Sequence, residues 1–132
     1  MIVIDTSAIF AIMAREPEAA EMRRALNEDP KLAMSAFTVF ECRTVLHRRL
    51  ARAAQSEFSQ FLQLAAVQVE PFDSDLAEIA FAAYRTMGKG SAHKAQLNLG
   101  DCASYALAKA FDAPLLYKGD DFTHTDVRSA LS

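Results

Sequence analysis

Met1-Ile2-Val3-Ile4-Asp5-Thr6-Ser7-Ala8 opens the chain, and the reading of this stretch decides the fold. Residues 2–4 are β-branched and apolar, with no polar residue alternating between them. A strand of that kind is buried on both faces, as inside a parallel sheet covered by helices. Asp5 closes it, and Thr6 and Ser7 are natural caps for a helix continuing from Ala8 to Ala14. In an open α/β sheet the ligand crevice lies at the carboxyl ends of strands, so Asp5 stands where function is sited.

The same alternation of short apolar runs and helical periodicity continues outward. Pro17 suits a first helical position, with Ala20, Met22 and Leu26 carrying that helix to about Glu28. A strand is predicted from Lys31 to Met34. Ser35 caps a long helix to about Ala53, with Phe37, Phe40, Leu46 and Leu50 on its apolar side. A helix over 56–66, a strand over 67–72 and a helix over 74–87 follow. The stretch 88–99 has no clear period and is basic, with Lys89, His93 and Lys94. Helix returns over 100–111, and Leu115 to Tyr117 forms a last strand. Strands alternating with helices predict one α/β domain spanning 1–132 with a mainly parallel sheet.

With 132 residues, 52% of them hydrophobic, the chain is long enough to bury a substantial core. A net charge of −3 argues against gripping nucleic acid through bulk positive charge. A polyanion partner would have to be met locally, by a metal and a few basic side chains. Asp5 interrupts the first apolar stretch too early for a signal peptide, and no run approaches the ~20 apolar residues that cross a bilayer. A cytoplasmic protein with no membrane partner is expected. Cys42 and Cys102 lack metal or redox spacing and read as buried filler, each packed behind the acidic residue it follows.

Those acidic residues carry the chemistry. Glu41 lies between Phe37 and Val45 at helical spacing, a semi-apolar layer where a lone charge is costly unless paired or metal-bound. Its structural alternatives are an ion pair with Arg48 or a plain surface glutamate. Asp101 follows Gly100 at a helix start, where a negative charge also favours the dipole. Asp120 and Asp121 follow the last strand in ordinary turn composition. Carboxylates gathered from distant parts of a small domain repel one another unless a cation joins them, which makes a hard divalent ion the expected occupant.

Val3-Ile4-Asp5-Thr6-Ser7-Ala8, Phe40-Glu41-Cys42-Arg43, Leu97-Asn98-Leu99-Gly100-Asp101-Cys102 and Leu116-Tyr117-Lys118-Gly119-Asp120-Asp121-Phe122 together resemble the signature of PIN-domain ribonucleases, in particular VapC-type toxins of bacterial toxin–antitoxin pairs. The resemblance spans essentially the whole chain. It implies a PIN-like three-layer α/β domain, with a short, mainly parallel twisted sheet flanked by helices. It also implies an endoribonuclease dependent on Mg²⁺ or Mn²⁺, with Asp5 and Asp101 as metal ligands and Glu41 completing the acidic cluster. The fourth acidic position falls on Asp120 or Asp121, with Asp120 preferred, and Ser7 orients a site carboxylate or water. Where related toxins often carry His-Pro, this chain has His93-Lys94. The implied partners are an RNA substrate (tRNA or rRNA), a VapB-like antitoxin and a second copy of the toxin.

Arg43, Arg48, Arg49, Arg52, Lys89 and Lys94 are candidates to line an RNA path, although for most of them a solvated helix face is the preferred reading. Three other readings are open. A dehalogenase-like phosphatase would use Asp5 as nucleophile, but that chemistry wants a second Asp where Ser7 stands. A receiver-like domain phosphorylated on Asp draws on Lys118. A PIN fold that binds RNA without cutting it would show an incomplete acidic set.

Overall fold

The computed structural model describes residues 1–131. Four strands, β1 (Ile2–Ile4), β2 (Leu32–Ser35), β3 (Gln68–Glu70) and β4 (Leu115–Leu116), form one sheet in the order β3-β2-β1-β4, parallel throughout. Six helices connect them: α1 (Thr6–Met13), α2 (Ala19–Asn27), α3 (Ala36–Arg49), α4 (Ala53–Leu64), α5 (Ser74–Met87) and α6 (Leu99–Ala110).

Why the strands need no polar residues is visible in the packing. Side chains alternate across a strand, so Ile2, Ile4, Leu32, Met34 and Leu116 enter one core with α1 to α4. Val3, Ala33 and Leu115 enter a second core with α5 and α6. The three-layer α/β expectation therefore holds. β1 lies at the centre, with β2 on one side and β4 on the other, so the chain reverses direction across the sheet at the β1/β4 boundary. Ligand crevices in such sheets open at the carboxyl ends of the strands flanking this reversal.

The strand over 2–4 and the helix over 74–87 are found as predicted, while other boundaries shift by a few residues. The long helix expected from Ser35 ends at Arg49, where Leu50 turns extended, and α4 starts at Ala53. Phe40 does not belong to the apolar side of α3; it is 67% exposed. The helix turns its Thr38, Cys42 and Leu46 stripe to the core, and two residues beyond Thr38 the chain has rotated about 200°, to the outside. Among the described residues the exposed large apolar side chains are Phe40, Leu64, Val69, Phe81, Leu99 and Phe111. No helix among the described residues is long and apolar enough to cross a membrane.

Candidate active site

Asp5 ends β1, and its backbone N–H donates to Leu116 across the β1/β4 boundary. Its carboxylate, rather than Thr6 or Ser7, caps α1: Oδ2 accepts from the Ser7 N–H (3.0 Å) and from Ser7 Oγ (2.6 Å). Oδ1 accepts from Ser104 Oγ at 2.6 Å. Because the Ser104 proton is committed to Asp5, the Thr38 hydroxyl 3.2 Å away donates to Ser104 in turn. Ser7 Oγ accepts from the Lys118 N–H (3.0 Å), which ties the end of β4 to the same carboxylate. Burial raises the Asp5 pKa, and the hydroxyl and amide donors oppose that rise by stabilising the charge. Removing one of them should be felt. Ser104→Ala leaves a buried carboxylate oxygen without its donor and should cost about 1–3 kcal/mol in urea unfolding. An unchanged midpoint would mean that this bond contributes nothing.

Glu41 reaches the site from α3, its Oε1 accepting from the Thr6 hydroxyl. The carboxylate lies directly against Gly100, filling the space a side chain there would need. Its pKa is raised, by burial first and by the neighbouring Asp5 charge as well. No Glu41–Arg48 ion pair forms among the described residues.

Asp101 sits in the first turn of α6 in a capping box. The Asp101 N–H donates to Asn98 Oδ1 (2.8 Å), while Asp101 Oδ2 accepts from the Asn98 N–H (3.0 Å). That leaves Oδ1 without a protein donor among the described residues. Despite the cap, its pKa is pushed up to about 7, mainly by burial and then by the charges of Asp5, Asp121 and Glu41. Asp101 is thus a helix cap and a member of a crowded acidic group together.

The two adjacent aspartates are placed differently. Asp121 lines the cavity with Asp5, Glu41 and Asp101, and the preferred Asp120 does not. The physical reason lies in the turn. Phe122 is buried against Tyr117 with ring centres 5.0 Å apart, and the Asp120 carbonyl accepts from the Thr123 N–H (3.1 Å). This anchored turn brings the residue before Phe122 over the cavity. The cavity measures about 380 Å³ and is also lined by Thr6, Ser7, Asn98, Arg49 and Lys118. Lys118 is held by Glu16 (2.8 Å) and Glu18 (3.3 Å). A larger groove of about 620 Å³ runs between α2 and α4, but its acids are occupied elsewhere: Asp29 pairs with the N-terminus and Glu57 with Arg15.

Cys42 and Cys102 are free and buried, with thiol pKa values pushed up to about 12 and about 11, chiefly by that burial. They remain neutral filler behind the site. The 88–97 segment, where His93-Lys94 departs from the family pattern, is held by Gln96: its side chain donates to the Ser91 and His93 carbonyls and accepts from the Gly90 N–H. None of its residues lines the acidic cavity.

The acids and Ser7 stand out as site residues in the sequence, whereas the parts played by Thr6, Thr38, Asn98 and Ser104 emerge only in the structure. Ser104 carried a usable signal, since three residues beyond Asp101 it shares a helix face with it. Asn98 followed by Asp101 is a capping-box spacing legible in the same way.

The model of the PIN domain family matches residues 2–128. The chain is 44% identical over 128 residues to Ribonuclease VapC42 of Mycobacterium tuberculosis, covering 97% of this chain and 98% of that protein. It is also 44% identical over 125 residues to Ribonuclease VapC of Mycolicibacterium smegmatis, covering 95% and 96%. Among solved structures, the sarcin-ricin loop cleaving toxin VapC20 of Mycobacterium tuberculosis superposes with a TM-score of 0.77 at 21% identity, covering 97% of this chain and 99% of that one. A toxin–antitoxin complex from Klebsiella pneumoniae gives 0.71 at 19% identity, covering 98% of both. At those identities the two structures establish the fold.

Proposed function

The chain belongs to the PIN-domain family and, within it, to the VapC ribonucleases; from that premise we propose that it is a metal-dependent endoribonuclease and the toxin of a toxin–antitoxin pair. The observation that carries the chemistry is the convergence of Asp5, Glu41, Asp101 and Asp121 on one cavity. Burial raises the pKa values of the first three, and repulsion between carboxylates adds to the rise at Glu41 and Asp101, so the site is short of positive charge.

The donor set fits a hard cation. Glu41 Oε2, Asp101 Oδ1 and the Asp121 carboxylate have no protein donor among the described residues and are all oxygen. As the side chains stand, no three acidic, histidine or cysteine groups among the described residues close tightly enough to cage an ion. Mg²⁺ tolerates this, because it keeps several waters and takes only one or two carboxylates directly. Asp5 and Asp101 would hold it, with Glu41 and Asp121 completing the set. When bound, Mg²⁺ or Mn²⁺ supplies charge neutralisation and makes a coordinated water more acidic near neutral pH.

The protein's own groups do the rest. Ser7 and Ser104 fix the Asp5 carboxylate in one orientation, so it meets its ligand without reorganising. Glu41, its Oε1 fixed by Thr6, presents Oε2 to accept a proton from the water that attacks the phosphodiester in line. Cleavage of this kind leaves 5′-phosphate and 3′-hydroxyl ends. The RNA is tRNA or rRNA, the neutralising partner is a VapB-like antitoxin, the toxin assembles as a homodimer, and the site of action is the cytoplasm. A phosphoaspartyl role is not favoured: Ser7 occupies the position where dehalogenase-like chemistry wants a second Asp, and Lys118 is tied to Glu16 and Glu18.

Purified protein incubated with bulk tRNA and rRNA should cut in Mg²⁺ or Mn²⁺, with the rate falling to background in chelator and returning when metal is restored. Cleavage that persists undiminished in chelator would overturn the metal-dependent reading.

A further inference from the structure

Two cations line the acidic cavity, and they are in different states. Lys118 is spent on Glu16 and Glu18. Arg49, the last residue of α3, takes part in no ion pair among the described residues. Its guanidinium lies over the ring of Phe10, 4.5 Å from the ring centre, and Phe10 lines the same cavity. Arg43, by contrast, sits over Phe58 at 4.8 Å and donates to the Gln55 carbonyl and side chain, so it fastens α3 to α4. Of the basic residues on α3, Arg49 is the one at the cavity.

A guanidinium stacked on an aromatic face keeps its charge, and its in-plane N–H groups point outward along its edge. That edge matches two oxygens of a phosphate, and little rotamer entropy remains to be lost on binding because the ring already holds the plane. With a net charge of −3, the protein has little diffuse attraction for RNA, so a single placed cation beside the cavity carries weight.

We propose that Arg49, held on Phe10, is a phosphate-positioning residue that grips the RNA phosphate next to the one entering the acidic cavity. This rests on the ribonuclease reading and deepens it: the contact is to the backbone, is independent of base sequence, and sets substrate position rather than the chemical step.

The test compares wild type, Arg49→Gln, Arg49→Lys and Phe10→Leu. Cleavage of bulk tRNA and rRNA in Mn²⁺ gives kcat and KM. Binding of a labelled single-stranded RNA oligonucleotide in chelator, across a salt series, gives the slope of log Kd against log salt. Arg49→Gln should raise KM about tenfold, the scale of one charge-assisted contact, with kcat little changed. Its salt slope should be shallower than wild type by about 0.7, the value for one phosphate on a single strand. Arg49→Lys should restore the slope but only part of the KM, because charge returns without the planar fork. Phe10→Leu should raise KM with the slope kept. If wild type cuts or binds RNA and Arg49→Gln leaves both KM and slope unchanged, the proposal is overturned. A fall in kcat alone would overturn it too, placing Arg49 in the chemical step. If wild type neither cuts nor binds RNA, it is the ribonuclease reading that has failed.

Discussion

Asp101→Asn is expected to cut RNA about a thousandfold more slowly than wild type, and yet to melt at a higher temperature in chelator. The two effects have one cause. The carboxylate is held among Asp5, Asp121 and Glu41 in a buried setting that pushes its pKa up to about 7 from 3.8. Between those values the folded chain keeps a proton that the unfolded chain has lost. The unfolded state therefore binds fewer protons, and this group's contribution to stability falls as pH rises from about 4 to about 7. Asparagine is neutral at every pH in that window. Its side-chain oxygen can still accept from the Asn98 N–H, so the capping box survives. The melting-temperature gap between variant and wild type in chelator should then be near zero around pH 4 and widest above pH 7. Adding Mn²⁺ at pH 7.5 should raise the wild-type melting temperature and leave the variant nearly unmoved, because only a ligand for the folded state stabilises it. A variant that melts below wild type in chelator above pH 7 would show that Asp101 is not under electrostatic load.

Gly100→Ala should separate fold from function in a second way. A methyl group at Gly100 would overlap the Glu41 carboxylate, with both of its oxygens in the path. The obstacle is the far end of a flexible side chain, so the fold can yield cheaply, and alanine within a helix is favoured over glycine by about 0.5–1 kcal/mol. Glu41 must swing away from the position set by Thr6. The variant should keep or slightly raise the wild-type melting temperature and lose activity on the order of a hundredfold, the effect of a catalytic group displaced by about an ångström. Pairing it with the shorter side chain in Gly100→Ala/Glu41→Asp should cost less than the two single effects combined, because both act on one carboxylate position. Wild-type activity in Gly100→Ala would mean that Glu41 has no fixed place in the reaction.

Local chemistry in the sequence determined the layout of this protein: apolar runs too uniform for a half-exposed sheet, helical periodicity between them, and carboxylates at element ends. Those features act over a few residues, through propensity, capping and alternation, and so can be read one stretch at a time. Helix 74–87, the strand at 2–4 and the placing of Asp5, Glu41 and Asp101 at a shared site were all legible on that basis. The exposed position of Phe40 is not legible locally, because an apolar stripe can be drawn through α3 in more than one way until its neighbours are known. That Asp121 rather than Asp120 faces the cavity depends on the burial of Phe122, which rests on Tyr117 and the second core. Only the tertiary structure could join Ser104 to Asp5, 99 residues apart, or set Arg49 on Phe10. Such pairings follow from strand order and helix packing. Local propensity cannot specify them, because each partner satisfies its own neighbourhood equally well before the sheet brings the two together.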